Sequence, residues 1–249
     1  MTENSASLKN IRIVLVHPTH PGNIGATARA MKTMCLHSLY LVEPVDHLGP
    51  EARARAAGAY DILIRAQRCG SRADALTECR LVIATSARTR TIPWPTLEPR
   101  GCARRLVAAA RHGPVALVFG REKMGLTNAE LDHCQYVVGI PANSRYASLN
   151  LACAVQVLSY EILCANGSQS PPGTEDWREP HVPLARREDV ERFYSHLEEV
   201  LIQIRFLDPD KPRQLMRRLY RLFNRACLDE NELNIMRGIL TAVQQQREK

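Results

Sequence analysis

Short apolar runs rich in β-branched residues alternate with helix-like segments along the first two thirds of this 249-residue chain, which restricts the fold more than any other feature. Because these runs lack polar alternation, they predict strands that are buried on both faces. Strands that alternate with helices predict an α/β fold, with a parallel sheet and helices on both faces. The predicted strands are IRIVLVHP (11–18), LHSLYLVEP (36–44), DILIRAQR (61–68), RLVIATSA (80–87), PVALVFG (114–120) and QYVVGIP (135–141).

The segments between and after these strands predict the covering helices. The last of them, SLNLACAVQVLSYEILCA, is apolar nearly all round, which predicts burial on most sides. Its Ser148 is a residue type that caps helix N-termini. Residues 88–100 include three prolines and predict a loop. The predicted helices are residues 22–34, 51–59, 72–79, 100–112, 127–134 and 148–165.

The composition changes at residues 166–183, a stretch rich in Gly, Pro, Ser and charge that is typical of a linker. Three amphipathic patterns beyond it predict a small bundle of helices. We therefore predict a first domain, a linker and a helical extension. Their bounds are 1–165, 166–185 and 186–249, and the predicted tail helices are 187–206, 211–226 and 229–249.

The positive charge of the chain comes entirely from its first part. Residues 1–165 hold 19 Lys and Arg against 12 Asp and Glu, whereas residues 166–249 hold 14 of each, so the formal net charge is +7. A basic surface favours a polyanion such as nucleic acid as the partner. An enzyme of high isoelectric point with a small substrate would show the same balance.

The eight cysteines are widely spaced and form no C-x-x-C pair, which argues against a zinc ribbon and against a disulfide framework. We interpret them as small buried apolar residues in a reducing compartment, with Cys153 and Cys164 as examples. His17 and His20 form an H-x-x-H pair without further ligands nearby, so we expect no metal. No signal segment and no membrane span are recognised, which predicts a cytoplasmic protein.

The segment HPGNIGATARA (20–30) follows the first strand and contains the first candidate site residues. Its spacing matches neither the G-x-G-x-x-G turn of dinucleotide-binding folds nor the G-x-x-x-x-G-K-[ST] P-loop. A glycine such as Gly25 allows a close approach of the backbone to another group. Arg29 lies near the start of the next helix, where it is either a solvated surface residue or a group facing the crevice at the sheet edge.

Two later segments follow strands at the same predicted edge. LVFGREKMGLTNAEL (117–131) places Gly120 at a strand end and Glu122 between two basic residues. YASLNLACAV (146–155) places Asn150 in the first turn of an apolar helix, where a ligand or a second subunit would have to satisfy its amide. Because ligands of parallel sheets bind outside the carboxyl ends of the strands, we expect these segments to meet there.

Taken in order, N-x-G-x-x-x-R (23–29), V-F-G-R-E-x-x-G-L (118–126) and S-L-N-L-A (148–152) resemble the three motifs of the SPOUT-class RNA ribose methyltransferases. Three further stretches resemble the TrmJ-type tRNA 2′-O-methyltransferases of that class, so the resemblance covers nearly the whole chain. Cys35 departs from the pattern, because a glycine is expected to close the first helix there. The three stretches are ARAMKTM (28–34), ATSARTRTIPWP (84–95) and ELNIMRGIL (232–240).

The resemblance implies a SPOUT fold, in which the C-terminal segment of the sheet domain is threaded into a trefoil knot and a small all-α extension follows. It also implies S-adenosylmethionine as the cofactor and a homodimer whose active sites draw on both subunits. No metal is required, because the sulfonium donor is already activated. Carried over by motif, the cofactor-binding residues are Thr85, Ser86, Ala87, Gly120, Ile140, Ala147, Ser148 and Leu149.

The same resemblance assigns Arg29, Asn23, Glu122 and Asn150 as catalytic residues. Since arginine is difficult to deprotonate, we expect Arg29 to position the ribose 2′-hydroxyl and to stabilise the developing alkoxide. The alternative is a general base in a strongly perturbed site. The other three residues would orient Arg29 and the ribose. The implied substrate is the pyrimidine, cytidine or uridine, at position 32 in the tRNA anticodon loop.

Basic side chains of the proline-rich loop and of the second tail helix are the expected tRNA contacts. In that helix, arginines at 213, 217, 221 and 225 recur every four residues and share a face. This face either contacts RNA or is the solvent-exposed side of an amphipathic helix that covers the core of the tail. The predicted RNA-binding residues are Arg88, Arg90, Arg213, Arg217 and Arg221.

Three alternative functions stay open. A SPOUT enzyme acting on ribosomal RNA is disfavoured by the helical extension and by the ATSARTRTIPWP segment. An RNA-binding protein with an inactive knot is disfavoured by the intact motif residues. A nucleotide-dependent dehydrogenase is disfavoured by the missing glycine fingerprint.

Overall fold

A computed structural model describes residues 7–87, 94–167 and 182–247 of the chain. Its centre is a seven-stranded sheet in which every neighbouring pair of strands is parallel, in the order β3-β2-β1-β6-β4-β7-β5. The strands are β1 (Ile11–Val16), β2 (Ser38–Val42), β3 (Gln67–Cys69), β4 (Leu81–Thr85), β5 (Thr96–Leu97), β6 (Val115–Phe119) and β7 (Tyr136–Val138).

Helices cover both faces of this sheet, as the alternation of strands and helices predicts. Side chains of α1, α2, α3, α5 and α7 pack on one face, and those of α4, α6 and Trp94 pack on the other. The helices of the sheet domain are α1 (Pro21–Thr33), α2 (Pro50–Ala56), α3 (Tyr60–Arg65), α4 (Arg72–Leu76), α5 (Pro99–Ala110), α6 (Asn128–Leu131) and α7 (Leu151–Gly167).

The strand predicted at residues 61–68 is wrong for most of its length. Residues Tyr60–Arg65 form helix α3, and only Gln67–Cys69 join the sheet. Ile62 and Leu63 are buried whereas Ile64 is 63% exposed, so two of the three apolar side chains face the core. A short apolar run fits a buried strand and one buried helical turn equally well, which explains the error.

The end of α1 has the conformation expected of a glycine, although its residue is Cys35. Cys35 has a φ of 59°, and the N–H of Leu36 donates to the Met31 carbonyl at 2.9 Å. This is the Schellman arrangement, in which the residue after the cap is left-handed. The departure from the family pattern therefore leaves the geometry unchanged, at a cost of about 1 kcal/mol for a side chain in this conformation.

Gly25 allows close packing of α1 against α2. A Cβ atom at this position would lie 2.0 Å from the carbonyl oxygen of Ala52, which no backbone adjustment of a few tenths of an ångström would relieve. The sequence predicts a close backbone approach at Gly25, and the partner is a neighbouring helix rather than a ligand.

Helix α7 has one apolar face against the core and a second apolar face in solvent. Leu151, Val155, Leu158 and Ile162 are buried. The predicted burial of Cys153 and Cys164 is wrong, because both are exposed. Both cysteines belong to a stripe of apolar side chains that faces solvent. The stripe runs along α7 and includes one residue just before the helix begins. We call Leu149, Cys153, Val157, Tyr160 and Cys164 the α7 stripe.

The last strand, β7, lies between β4 and β5, both of which precede it in the chain. The C-terminal part of the sheet domain is thus inserted into an existing sheet rather than added at its edge. The trefoil knot that the resemblance implies stays a prediction.

Three helices form the C-terminal extension, α8 (Arg187–Gln203), α9 (Leu215–Ala226) and α10 (Glu230–Arg247). Phe193, Tyr194, Leu197 and Leu240 contribute to a separate hydrophobic core. Helix α9 starts four residues later than predicted, so Arg213 precedes it and does not share its face. The proposed linker lies mostly outside the described residues, and the domain bounds stay a prediction.

The extension packs on the edge of the sheet where β4 and β7 begin. The Arg187 N–H donates to the Cys79 carbonyl at 2.9 Å, Arg80 pairs with Glu230 at 2.8 Å, and Arg217 pairs with Asp132 at 2.8 Å. Residues 79, 80 and 132 all precede their strands. The extension therefore contacts the amino ends of the strands, about 15 Å of strand length from their carboxyl ends.

Candidate active site

A cavity opens at the carboxyl ends of β4, β6 and β7, where ligands of parallel α/β sheets bind. Its walls are the three loops that leave these strands, together with the start of α7. All eight residues predicted to bind the cofactor line it, and their role as cofactor contacts stays a prediction. They are Thr85, Ser86, Ala87, Gly120, Ile140, Ala147, Ser148 and Leu149.

The loop after β6 folds back tightly against its own start. The Gly125 N–H donates to the Arg121 carbonyl at 2.8 Å, and Gly125 has a φ of 67°. A Cβ atom on Gly120 would lie 2.2 Å from the carbonyl carbon of Gly125, so a larger residue at 120 would push the loop apart. Arg121 contacts Glu130 at 3.1 Å, which fixes the far side of the loop.

A chain of side-chain hydrogen bonds links the three motifs beside this cavity. The Asn150 amide donates to Asn23 Oδ1 at 2.9 Å, and the Asn23 amide donates to Glu122 Oε1 at 3.2 Å. Asn23 is 99 positions from Glu122 and 127 from Asn150 in sequence, and the three residues meet because α1, the β6 loop and α7 converge here. The structure thus brings together three of the four predicted catalytic residues.

Asn150, not Ser148, caps helix α7. Its Oδ1 accepts the Ala152 N–H at 2.9 Å, and its carbonyl accepts the Ala154 N–H at 2.9 Å. The prediction that α7 begins at Ser148 with a buried amide at Asn150 is wrong, because the helix begins at Leu151 and Asn150 is exposed. The cap fixes the amide orientation, since Oδ1 accepts and Nδ2 is left to donate.

Glu122 accepts hydrogen bonds from the turn that precedes α1. The backbone N–H groups of Thr19 and His20 and the Thr19 hydroxyl all donate to its carboxylate. Partial burial acts to raise the pKa of Glu122, but hydrogen bonds from its own backbone, from Asn23 and from Thr19 outweigh burial, so the pKa lies below its usual value. Glu122 is therefore an ionised acceptor at neutral pH, poorly suited to take up a proton.

Arg29 stands apart from the other predicted catalytic residues. Its side chain is exposed and has no hydrogen-bond or ion-pair partner within residues 7–87, 94–167 and 182–247. On an ideal helix, Asn23 and Arg29 are about 120° apart around the axis and about 9 Å apart along it. The guanidinium and the Asn23 amide therefore leave α1 in different directions.

The predicted RNA-binding arginines fall into three groups. Arg88 and Arg90 lie outside the described residues. Arg213 is exposed, and Arg221 is partly buried on α9. Arg217 donates through Nε to both carboxylate oxygens of Asp132, at 3.0 and 2.8 Å, so in this structure its charge holds the extension to the sheet domain. The RNA contacts themselves stay a prediction.

Two kinds of residue were not predicted from the sequence, one at the site and one at the contact between the extension and the sheet domain. Thr19 donates twice to Glu122, yet a single threonine 103 positions away carries no pattern that would reveal this contact. The buried Arg187 and Asn224, which hold the extension in place, also went unnoticed. Their signal was an amide and a cation on faces that are otherwise apolar.

Metal-ligand clusters and membrane-spanning helices were both sought among residues 7–87, 94–167 and 182–247. Those residues hold no group of three or more His, Cys, Asp and Glu side chains placed to bind a metal ion. Among the same residues, no helix is both long and apolar enough to cross a bilayer.

Comparisons with known proteins match the chain from its first strand to its last helix. The profile of the SpoU rRNA Methylase family matches residues 10–160, and that of the C-terminal domain of the tRNA methyltransferase TrmJ matches residues 188–249. The tRNA (cytidine/uridine-2′-O-)-methyltransferase TrmJ of Pectobacterium atrosepticum is 52% identical over 95% of this chain and 98% of its own.

Two solved structures are also similar over nearly the full length. The crystal structure of TrmJ from Z. mobilis ZM4 has a TM-score of 0.78 at 29% identity, and the match covers 94% of this chain and 98% of that one. A probable methylase family protein from Haemophilus influenzae has a TM-score of 0.62 at 43% identity, with coverages of 97% and 98%.

Proposed function

The chain belongs to the SpoU methylase family and to its TrmJ-type members, and from this premise we propose that it methylates the ribose 2′-oxygen of a pyrimidine in tRNA, with S-adenosylmethionine as the methyl donor. The substrate nucleotide is the cytidine or uridine at position 32 of the anticodon loop. The observation that carries the proposal is the hydrogen-bonded chain from Asn150 through Asn23 to Glu122, which joins all three motifs beside one cavity.

The cavity suits the proposed cofactor. Its lining combines apolar residues such as Leu126, Val138 and Ile140 with the hydroxyl-bearing Thr85 and Ser86 and with two glycines of the β6 loop. Small-molecule sites are mostly apolar with a few polar groups that fix orientation, as here. When bound, S-adenosylmethionine supplies an activated methyl group on sulfur.

The residues around the cavity then have to align and activate the hydroxyl that accepts this methyl. The transfer would break the methyl–sulfur bond, with its electron pair left on sulfur, and form the bond between the methyl carbon and the ribose oxygen, while the hydroxyl proton would pass to solvent water. Asn23 and Asn150 each keep one amide hydrogen outside the chain, so both can donate to the ribose. Arg29 positions the 2′-hydroxyl and stabilises the negative charge that develops on its oxygen.

Methyl transfer from labelled S-adenosylmethionine to unmodified tRNA tests this proposal. We expect label in tRNA and, after nuclease digestion, a 2′-O-methylated pyrimidine at position 32. A tRNA with a 2′-deoxyribose at position 32 is the matched control, since it lacks only the accepting oxygen. Label in ribosomal RNA but none in tRNA would instead support the ribosomal alternative.

A homodimer with shared active sites is the second part of the proposal. The α7 stripe leaves large apolar side chains in solvent, including Val157 at 37% and Tyr160 at 53% exposure. Contiguous exposed apolar surface is typical of protein interfaces. Arg29 lies away from the Asn23–Glu122 pair of its own chain. In a dimer that pairs through α7, each Arg29 acts in the active site of the second subunit.

Replacing Val157 by aspartate should dissociate this dimer. A carboxylate inside the interface loses water without a partner, and we expect the dimer dissociation constant to rise by roughly a hundredfold or more. Light scattering after size exclusion measures the mass of the particle. Ile64→Asp, at an exposed isoleucine on α3, is the control and should remain dimeric. A Val157→Asp protein with the mass of an unchanged dimer would place the interface elsewhere.

The proposed cellular location and RNA contacts follow from tRNA as the substrate. A tRNA-modifying enzyme works where tRNA is, and all eight cysteines are free thiols, in keeping with a reducing cytoplasm. The exposed arginines near and on α9 supply charge for the phosphate backbone. The reaction proceeds without a metal ion.

A further inference from the structure

Thr19 is the residue that touches Glu122 most extensively. Its backbone N–H lies 3.3 Å from Oε1 and 3.1 Å from Oε2, and its hydroxyl donates to Oε2 at 2.8 Å. His20 adds a backbone N–H to Oε1 at 3.2 Å. The carboxylate thus has several donors from the turn between β1 and α1, and the Asn23 amide is the remaining partner from α1.

These contacts give the chain of hydrogen bonds a single direction. Because Glu122 only accepts, Asn23 must present its NH₂ group to it and turn its Oδ1 toward Asn150. Asn150 in turn presents NH₂ to Asn23, while its own Oδ1 caps α7. A protonated or rotated Glu122 would remove the acceptor that keeps the NH₂ group of Asn23 in this orientation, whereas Asn150 is held by its cap on α7.

We propose that Thr19 is a positioning residue for methyl transfer: its hydroxyl and backbone N–H hold the Glu122 carboxylate, which orients the Asn23 amide between Glu122 and Asn150. The role rests on the proposed function, because it matters for catalysis only if these amides contact the ribose. Thr19 acts through Glu122 and is not itself a catalytic residue.

Thr19→Val and Thr19→Ser separate this role from a purely structural one. Valine keeps the shape and the backbone N–H but lacks the hydroxyl, whereas serine keeps the hydroxyl and lacks the methyl group. Positioning predicts that Thr19→Val loses roughly tenfold in kcat, as expected for one hydrogen bond to a charged group, while Thr19→Ser stays near wild type. The KM for S-adenosylmethionine should change little in both. If valine is tolerated, or if serine is the more damaging change, the proposal is wrong.

The pH profile gives a second readout of the same contact. The charged or titratable groups around Glu122 are His20 at the start of α1 and Arg121 and Lys123 in its own loop; Asn150, from α7, is uncharged. Since the Thr19 hydroxyl helps to lower the pKa of Glu122, its loss should raise that pKa and move the acid limb of the rate profile to higher pH.

A measurement without substrate keeps the inference distinct from the proposed function. Carboxyl carbon-13 NMR of the full chain follows the titration of Glu122 directly, and we expect its pKa to be higher in Thr19→Val than in wild type and Thr19→Ser. An unchanged titration in Thr19→Val overturns the inference even if tRNA is methylated. Wild-type protein that fails to methylate tRNA defeats the proposed function while the NMR result still decides whether Thr19 holds Glu122.

Discussion

Arg29→Ala is expected to lower kcat for methyl transfer to tRNA by about a thousandfold, while the dissociation constant for S-adenosylmethionine changes less than about twofold. The guanidinium is exposed and unpaired within the described residues, so its loss removes no internal contact and should leave stability unchanged. It also does not line the cavity that holds the proposed cofactor. Single-turnover transfer of label and calorimetric titration of the cofactor measure the two quantities.

Arg29→Lys serves as the matched variant, because it keeps the charge but loses the planar, forked donor. If Arg29 positions the hydroxyl and a phosphate by that fork, lysine should restore only a small part of the rate. A rate that returns nearly to wild type would mean that charge alone suffices. Transfer by Arg29→Ala at close to the wild-type rate would remove Arg29 from the reaction.

A mixed dimer tests which subunit Arg29 serves. Combining an Arg29→Ala subunit with an Asn150→Ala subunit leaves one complete site only if Arg29 reaches into the partner. We expect about half of the wild-type activity from the purified mixed dimer, while each parent dimer is inactive. An inactive mixed dimer would place Arg29 in the site of its own chain, against the geometry of α1.

Most of the sheet was predictable because strands such as β1, β4 and β6 are continuous apolar runs. In β1, neighbouring residues such as Ile13 and Val14 are buried on opposite faces of the sheet. Elements without such a run were not. Strand β5 consists of Thr96 and Leu97 alone and lies in a segment that prolines identify as a loop. The residues of α3 form too short an apolar run for periodicity to separate a helical turn from a strand.

At the site, the residues that belong to one of the three motifs could be predicted from the sequence. Asn23, Glu122 and Asn150 were assigned by resemblance, and they meet in the structure although nothing in their spacing requires it. Residues that act by tertiary contact alone were missed, since such contacts leave no local pattern. Thr19 belongs to this class. Arg187 was missed for another reason: it shares the apolar face of α8 with Val190 and Tyr194, but a cation is ordinarily expected in solvent.

Arg187 is the centre of the contacts that hold the extension to the sheet domain. Its side chain is only 4% exposed, and it donates to Glu191 at 2.7 Å and to Asn224 Oδ1 at 3.2 Å. Asn224 donates to the Asp132 carbonyl at 2.8 Å, which continues the network into the sheet domain. His133, from the same segment, pairs with Glu191.

The pKa of Glu191 shows that this network strongly favours the ionised form of the carboxyl group. Burial acts to raise the pKa of Glu191, but the hydrogen bond with His133 and the charge of Arg187 lower the pKa to about 2. A carboxylate whose pKa is lowered in the folded state stabilises it above the unfolded pKa of about 4.3. That contribution is lost as the pH falls through about 2, so the contact should persist at all physiological pH values.

Arg187→Met is therefore expected to cost about 2 kcal/mol in the free energy that keeps the extension docked, because Glu191 and Asn224 Oδ1 each lose a charged donor. Glu191 keeps its contact with His133, and Asn224 Oδ1 keeps the hydrogen bond from the Tyr194 hydroxyl, so the loss is smaller than for an unpaired buried charge. Methionine retains most of the volume, so the loss reports on the charge rather than on a cavity. Native-state hydrogen exchange should show faster exchange of α8 and α9 amides and unchanged exchange of the β1 and β6 amides.

Arg192→Met is the control on the same helix, since the Arg192 side chain is 64% exposed and, among the described residues, pairs with Asp189 alone, at 3.1 Å at the surface. This substitution should change the opening free energy measured by hydrogen exchange by less than about 0.5 kcal/mol. If the extension supplies tRNA contacts, Arg187→Met should also weaken tRNA binding while cofactor affinity stays constant, because the contact lies at the opposite edge of the sheet from the cavity. Equal exchange in Arg187→Met and Arg192→Met would show that the extension is held by its apolar contacts instead.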